Sequence, residues 1–371
     1  MADFSSALYL GLRHAHGTLQ PWAALTTGRP AGLGPLPGIA AVEREVARLT
    51  GCERATLASS TLHLFFDLFE VLAEAPIGIC IETGSYPIAR WCVERVAAQG
   101  VPVQDFAMGD TAGLARRIAG LRHAGLRPVV VADGLCPASG RPAPLADYLR
   151  AVRQAGGWLV VDDTQAFGIL GERAKGAASL PYGRGGGGTA AWLGLRGPAL
   201  IVACSLAKGL GVPLATLAGS AEMIERFERS GLTRQHCSAP SSAHLSAASR
   251  ALALNRERGE ALRQLLARKV ARFRGRLQAG GIAVHGGLFP VQTPELGSRA
   301  PAIHRALRAR GITGVLHDGG GRPRLSFLIT ATHSNEALDE AADALLRLTL
   351  RQPEIAALRG LHHGPFAELQ A

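Results

Sequence analysis

Apolar positions along this chain follow two alternating rhythms. Short, nearly unbroken apolar runs stand at IGICI (77–81), PVVVAD (128–133), WLVVDD (158–163) and ALIVACS (199–205). Between them apolar residues recur at helical spacing. Ile39, Val42, Val46 and Leu49 form one stripe, closed by Gly51, and Leu145, Tyr148, Leu149 and Val152 form another. A run that is apolar throughout marks a strand buried on both faces, and helical stripes between such runs mark crossovers. The pattern therefore predicts an α/β fold with a mostly parallel central sheet and helices on both faces. Residues 1–37 are rich in Gly and Pro and weakly periodic, so they read as an extended N-terminal arm. PYGRGGGG (181–188) reads as a flexible loop, because it lacks the strand–GxGxxG–helix setting of a dinucleotide site.

From about residue 240 the rhythm changes. A long amphipathic helical stretch runs to about 278. Short strands are predicted at 282–292, 313–317 and 324–330, with helices near 300–310 and 334–350. The expected division is an N-terminal arm (1–37), a large domain (38–240) and a smaller C-terminal α+β domain (241–371), with no internal repeat.

Length and composition narrow the classes. A chain of 371 residues is long enough for a large domain and a smaller one, and 47% hydrophobic with 19% charged residues is globular composition. The net charge is +11, much of it Arg on helical patterns, such as Arg116, Arg117 and Arg122. The plain reading is a solvated surface; the functional one is attraction of an anionic substrate such as a coenzyme A thioester. No basic run is interleaved with aromatics, which argues against nucleic acid. The six cysteines, at 52, 80, 92, 136, 204 and 237, have no CxxC spacing, so neither a metal site nor a redox dithiol is expected, and a reduced, cytoplasmic protein fits. No signal-peptide pattern opens the chain and no apolar run approaches the length of a membrane span.

Chemistry-bearing residues stand where the predicted strands end, the edge at which open parallel sheets bind ligands. Asp162 closes WLVVD. A carboxylate there can hold the ring nitrogen of pyridoxal 5′-phosphate (PLP) protonated, or simply cap the next turn. Gln165, three residues on, can reach the phenolic oxygen of that cofactor. In VACSLAKGLG, Lys208 follows a buried strand and is flanked by Gly209 and Gly211. An apolar setting lowers a lysine pKa and favours imine formation. Ser205 is placed to bind the phosphate. Ser59, Ser60 and Thr61 open a helical pattern, where free backbone N–H groups make a phosphate cradle or the hydroxyls only cap. Tyr86, after the 77–81 strand, can stack on the ring or serve as a packed aromatic.

In this order the motifs resemble the α-oxoamine synthase family, from about residue 35 to 350. The similar stretches are DGLCPASGRPAPLADYLRAVRQAGGWLVVDDTQAFGILGE (133–172) and SLAKGLGVPLATLAGS (205–220). The resemblance implies a fold type I PLP-dependent transferase. Lys208 would be the Schiff-base lysine and Asp162 the pyridinium partner. Ser205, Ser60 and Thr61 would hold the phosphate. Tyr86 stands where the family places a ring-stacking His, Gln165 where it has a His on the phenolic oxygen, and Pro137 where it has a Ser. Near the C-terminus, GRPRLSFLITATH (321–333) is similar to the strand bearing the Arg that binds the substrate carboxylate. Arg324 fits the local pattern, while counting back from His333 puts Ser326 there. The implied reaction condenses an amino acid with an acyl-CoA or acyl-carrier thioester, with decarboxylation. Transamination, lyase or aldolase chemistry, or a non-catalytic homologue, are the alternatives. A homodimer is implied as well.

Overall fold

The computed structural model describes residues 2–350 apart from 138, 174–179 and 318–321. Its central sheet has seven strands: β1 (Arg54–Ala58), β2 (Ile77–Glu82), β3 (Val103–Phe106), β4 (Arg127–Asp133), β5 (Trp158–Asp162), β6 (Leu200–Ser205) and β7 (Ala215–Gly219). The spatial order is β1-β7-β6-β5-β4-β2-β3. The run from β3 to β6 pairs in parallel, and β7 lies antiparallel to both β6 and β1. The four apolar runs of the sequence are β2, β4, β5 and β6. The other three strands carry weaker signals: β3 is a half-exposed edge, β1 opens on exposed Arg54, and β7 is built largely of small residues.

The helices of this domain are α1 (Ile39–Thr50), α2 (Thr61–Ala73), α3 (Pro87–Ala97), α4 (Thr111–His123), α5 (Leu145–Gln154), α6 (Gly188–Trp192), α7 (Ala221–Ser230) and α8 (Leu232–His236). Alternation along each strand sorts the core into two layers. Ile79, Ile81, Val129, Val131, Val160 and Ile201 pack under α2, α3 and α7. Cys80, Val130, Ala132, Leu159, Val161 and Val202 pack under α4 and α5. Continuous apolar runs are what such double coverage demands.

Helix α9 (Ser242–Ala279) leads into the C-terminal lobe. The lobe carries β8 (Val284–His285), β9 (Val291–Pro294), β10 (Val315–His317) and β11 (Arg324–Leu328), in the antiparallel order β8-β9-β11-β10, with α10 (Ala300–Arg308) and α11 (Asn335–Leu350). The start of the chain is built into this lobe. Ala2–Asp3 pairs in parallel with Ile312–Thr313, and buried Phe4 packs against Phe273, Phe327 and His333.

The Gly-rich segment 181–188 is a loop, as predicted, but it is tied down. Gly168 N donates to Gly186 O, Gly185 N donates to Glu260 of α9, and Asn255 of α9 donates to Gly185 O. Gly187 lies so close to α1 that a Cβ would fall 1.8 Å from Leu49 O, so the glycines here serve close approach. Arg263 of α9, 2% exposed, completes the clamp by donating to Gly168 O (3.0 Å) and Asn255 Oδ1 (2.8 Å). Replacing Arg263 with Met leaves both acceptors buried and unpaired. We expect a loss of about 3 kcal/mol of stability, to be read from the shift in a denaturant unfolding curve.

Candidate functional site

The parallel strands end along one edge, and their last residues form the floor of the site. Asp133 and Asp162 are register partners at the ends of β4 and β5, Asp162 is level with Ala203 of β6, and Ser205 closes β6. Thr164 ties two of these ends together: its N–H donates to Asp162 Oδ1 (3.0 Å) and its hydroxyl accepts from Ser205 N (2.9 Å). Ser205 Oγ in turn accepts from Ala207 N, which shapes the turn that brings Lys208 back over the floor. That turn requires Gly209, because a Cβ there would meet Phe167 O at 2.3 Å.

Lys208 is part-buried. Burial lowers its pKa, while Asp162 and Asp133 raise it as charges, without direct hydrogen bonds. Burial raises the Asp162 pKa against the Thr164 bonds and the Lys208 charge. Asp133 is pushed up to about 7, first by burial and then by the neighbouring Asp162. Tyr86 N donates to Asp133 Oδ1 (3.1 Å), and the Tyr86 ring centroid stands 5.7 Å from Lys208 Nζ. On the far side, Gln165 Oε1 accepts from the hydroxyl of Tyr9 at 2.9 Å.

Helix α2 starts at the same edge, just after β1. Ser60 is its N-cap, accepting from His63 N, with its hydroxyl also 2.8 Å from His63 Nδ1; Thr61 is the first helical residue. The first-turn N–H groups of Thr61 and Leu62 have no partner within the helix and are available to an anion. Ser59, which the sequence grouped with them, is exposed, with a long contact to Ser238 O. Beside Asp133 a cavity of about 520 Å³ opens, lined among others by Glu82, Met108, Pro137 and Arg141.

Residues 5–345 match the aminotransferase class I and II family. The chain belongs to that family. It is similar to the 8-amino-7-oxononanoate synthase of Alkalilimnicola ehrlichii, with 28% identity over 322 residues, 84% of this chain and 77% of that protein. Its fold matches serine palmitoyltransferase from S. paucimobilis solved with bound PLP–myriocin (TM-score 0.80, 16% identity, 93% of this chain and 86% of that one). It also matches 8-amino-7-oxononanoate synthase from Francisella tularensis (TM-score 0.72, 16% identity, 97% and 99% of the two chains). The chain is thus a PLP-dependent enzyme of fold type I, and its resemblance to α-oxoamine synthases holds.

The residues of this PLP enzyme fit the cofactor. A fully buried Asp162 whose pKa is raised is a carboxylate short of a cationic donor, which a ring N–H supplies. Part-buried Lys208 acts on it as a charge without a direct hydrogen bond, so its amine is not tied up by the acid. Of the residues singled out in the sequence, the structure brings together Asp162, Lys208, Tyr86, Gln165 and Ser205, with Ser60 and Thr61 at the same sheet edge. Arg324 stands at the exposed start of β11 opposite His317, whose pKa its charge helps to lower. Ser326 is buried and bonded to Thr293 at 2.8 Å. Sequence reasoning missed Asp133, Thr164 and Tyr9. Asp133 carried a usable signal, since it ends an apolar run just as Asp162 does.

Because Asp133 titrates near 7 in the fold against 3.8 for an ordinary carboxyl, the folded state holds a proton that the unfolded chain has lost. Stability of the cofactor-free protein therefore falls as pH rises from about 4 to 7. Asp133→Asn keeps an acceptor for Tyr86 N and removes that penalty. The expected gain is about 4 kcal/mol at pH 8 and about half of that at pH 5, measured by urea unfolding of the cofactor-free protein at the two pH values.

Proposed function

We propose that this enzyme is an α-oxoamine synthase, joining the α-carbon of an amino acid to the acyl group of a CoA or carrier-protein thioester and releasing CO2 and the free thiol. The observation that carries this reading is part-buried Lys208 near enough to buried Asp162 for each to act on the other's charge without a direct hydrogen bond, in a chain similar over most of its length to a synthase of that kind. Bound PLP supplies an electron sink for the carbanion at the substrate α-carbon.

Lys208 holds the cofactor covalently. Its amine, with a pKa lowered by burial, would be placed to take and return the α-proton. Asp162 keeps the ring nitrogen protonated, and Thr164 keeps Asp162 aimed. Ser205 and the start of α2 at Ser60 and Thr61 hold the phosphate. Tyr86 covers one face of the ring. Gln165 donates to the phenolic oxygen but, unlike a His, it cannot titrate. The cavity beside Asp133, bordered by Met108 and Pro137, gives the acyl group a partly apolar place outside the cofactor. Arg324, at the start of β11, is the residue proposed for the substrate carboxylate.

A homodimer is part of the proposal. Leu62 of α2, Tyr86 at the N-cap of α3 and Trp91 of α3 are each about half exposed, an apolar face that a second copy would cover. No described helix is long and apolar enough to cross a membrane. A cytoplasmic location is proposed on the six free cysteines.

Release of free thiol should require both an amino acid and an acyl thioester, and Lys208→Ala should lower its rate by about 10²–10⁴-fold. If no acyl donor yields thiol while an amino acid alone converts the bound cofactor to pyridoxamine phosphate, the transaminase reading replaces this one. It is favoured by Gln165 and Tyr86 standing at the two imidazole positions.

A further inference from the structure

A primary amide has a donor side and an acceptor side, and half a turn about its last bond exchanges them at little cost. Facing the phenolic oxygen of PLP, Gln165 is useful only with its NH2 group inward; reversed, two acceptor oxygens would meet. Nothing in Gln165 itself makes that choice. We infer that Tyr9 makes it: the Tyr9 hydroxyl, donating to Gln165 Oε1 at 2.9 Å, locks the amide with its N–H groups toward the cofactor, so the N-terminal segment helps set the protonation of the Lys208–cofactor link. This rests on the reading of Gln165 as the partner of the phenolic oxygen.

Three features make Tyr9 a fixed reference. Its side chain is 1% exposed and meets Phe289 edge-on at 5.8 Å. Burial pushes its phenol pKa up, so the group stays an O–H throughout the working pH range. Among the described residues Gln165 is the one side-chain partner of that hydroxyl, so turning the amide round would orphan a buried donor. The backbone is anchored on both sides. Ala331 N donates to Tyr9 O (2.8 Å), the His14 ring bonds Leu210 O (2.9 Å), and Gly211 passes so close beneath the segment that a Cβ would lie 2.3 Å from Leu12 O. The segment bearing Tyr9 therefore rests on the same 206–212 turn that carries Lys208.

N–H groups aimed at the phenolic oxygen favour its anionic form. They lower the pH at which the proton shared with the Lys208 nitrogen is lost. Tyr9 acts through Gln165 and is a positioning residue. The test is a spectrophotometric pH titration of the holoenzyme, following the yellow band of the bound cofactor. Gln165→Leu should raise the midpoint by about one unit, and Tyr9→Phe by about half a unit or more. Tyr9→Phe should add nothing in the Gln165→Leu background, because both act through one contact. Replacing Tyr9 with 3-fluorotyrosine, a stronger donor of the same shape, should lower the midpoint and serves if Tyr9→Phe does not fold. If Gln165→Leu shifts the midpoint but neither change at Tyr9 does, the inference is overturned while the cofactor site stands. Additive shifts in the double variant overturn it too. If Gln165→Leu leaves the midpoint unmoved, the assignment of Gln165 to the phenolic oxygen fails, and the inference fails with it.

Discussion

A buried amine held apart from buried carboxylates is the constraint around which this molecule is organised. In water Lys208 and Asp162 would be charged at no cost. At the end of a doubly covered sheet both are penalised by burial, and the fold keeps them from neutralising each other by direct contact. The tension is not relieved elsewhere in the chain: a third acid, Asp133, is placed in register beside Asp162 and adds repulsion. Lys208 and Asp162 would hold the cofactor, whose protonated ring would offset the penalty on the acid, so the cofactor would also be a structural partner.

The sheet makes this possible because its geometry turns sequence neighbours into a single edge. Parallel strands align their C-terminal ends, and alternation sends the apolar side chains of β4, β5 and β6 into two helix layers. Thr164 then joins the Asp162 and Ser205 ends by two hydrogen bonds, and Arg263 fixes the loop behind Gln165 from a helix far along the chain. Positions on the floor are set by the backbone, and those around it by long-range clamps.

This division explains what could be read in advance. Strands buried on both faces announce themselves as unbroken apolar runs, and the polar residues at or just past their ends, Asp162 and Lys208, stand out against them. The edge strand β3, half exposed, and β7, made largely of small residues, lack that contrast. Asp133 ends its apolar run in the same way as Asp162, but its importance comes from a lateral register that a linear reading does not supply. Tyr9 lies in a segment without periodicity, and its partner is 156 residues away. The pattern around Arg324 did announce a strand, and β11 is there.

The pairing of Ala2–Asp3 with Ile312–Thr313 has a bearing on how the chain acquires its shape. The stretch around Ala2 leaves the ribosome long before the stretch it pairs with. The seven-stranded sheet can form while this early segment waits, its Phe4 and Tyr9 still exposed to solvent. Such late, sequence-distant closure is slow, and it leaves apolar surface open to wrong partners in the interval. A stretch made early is thus among the last to be put in place.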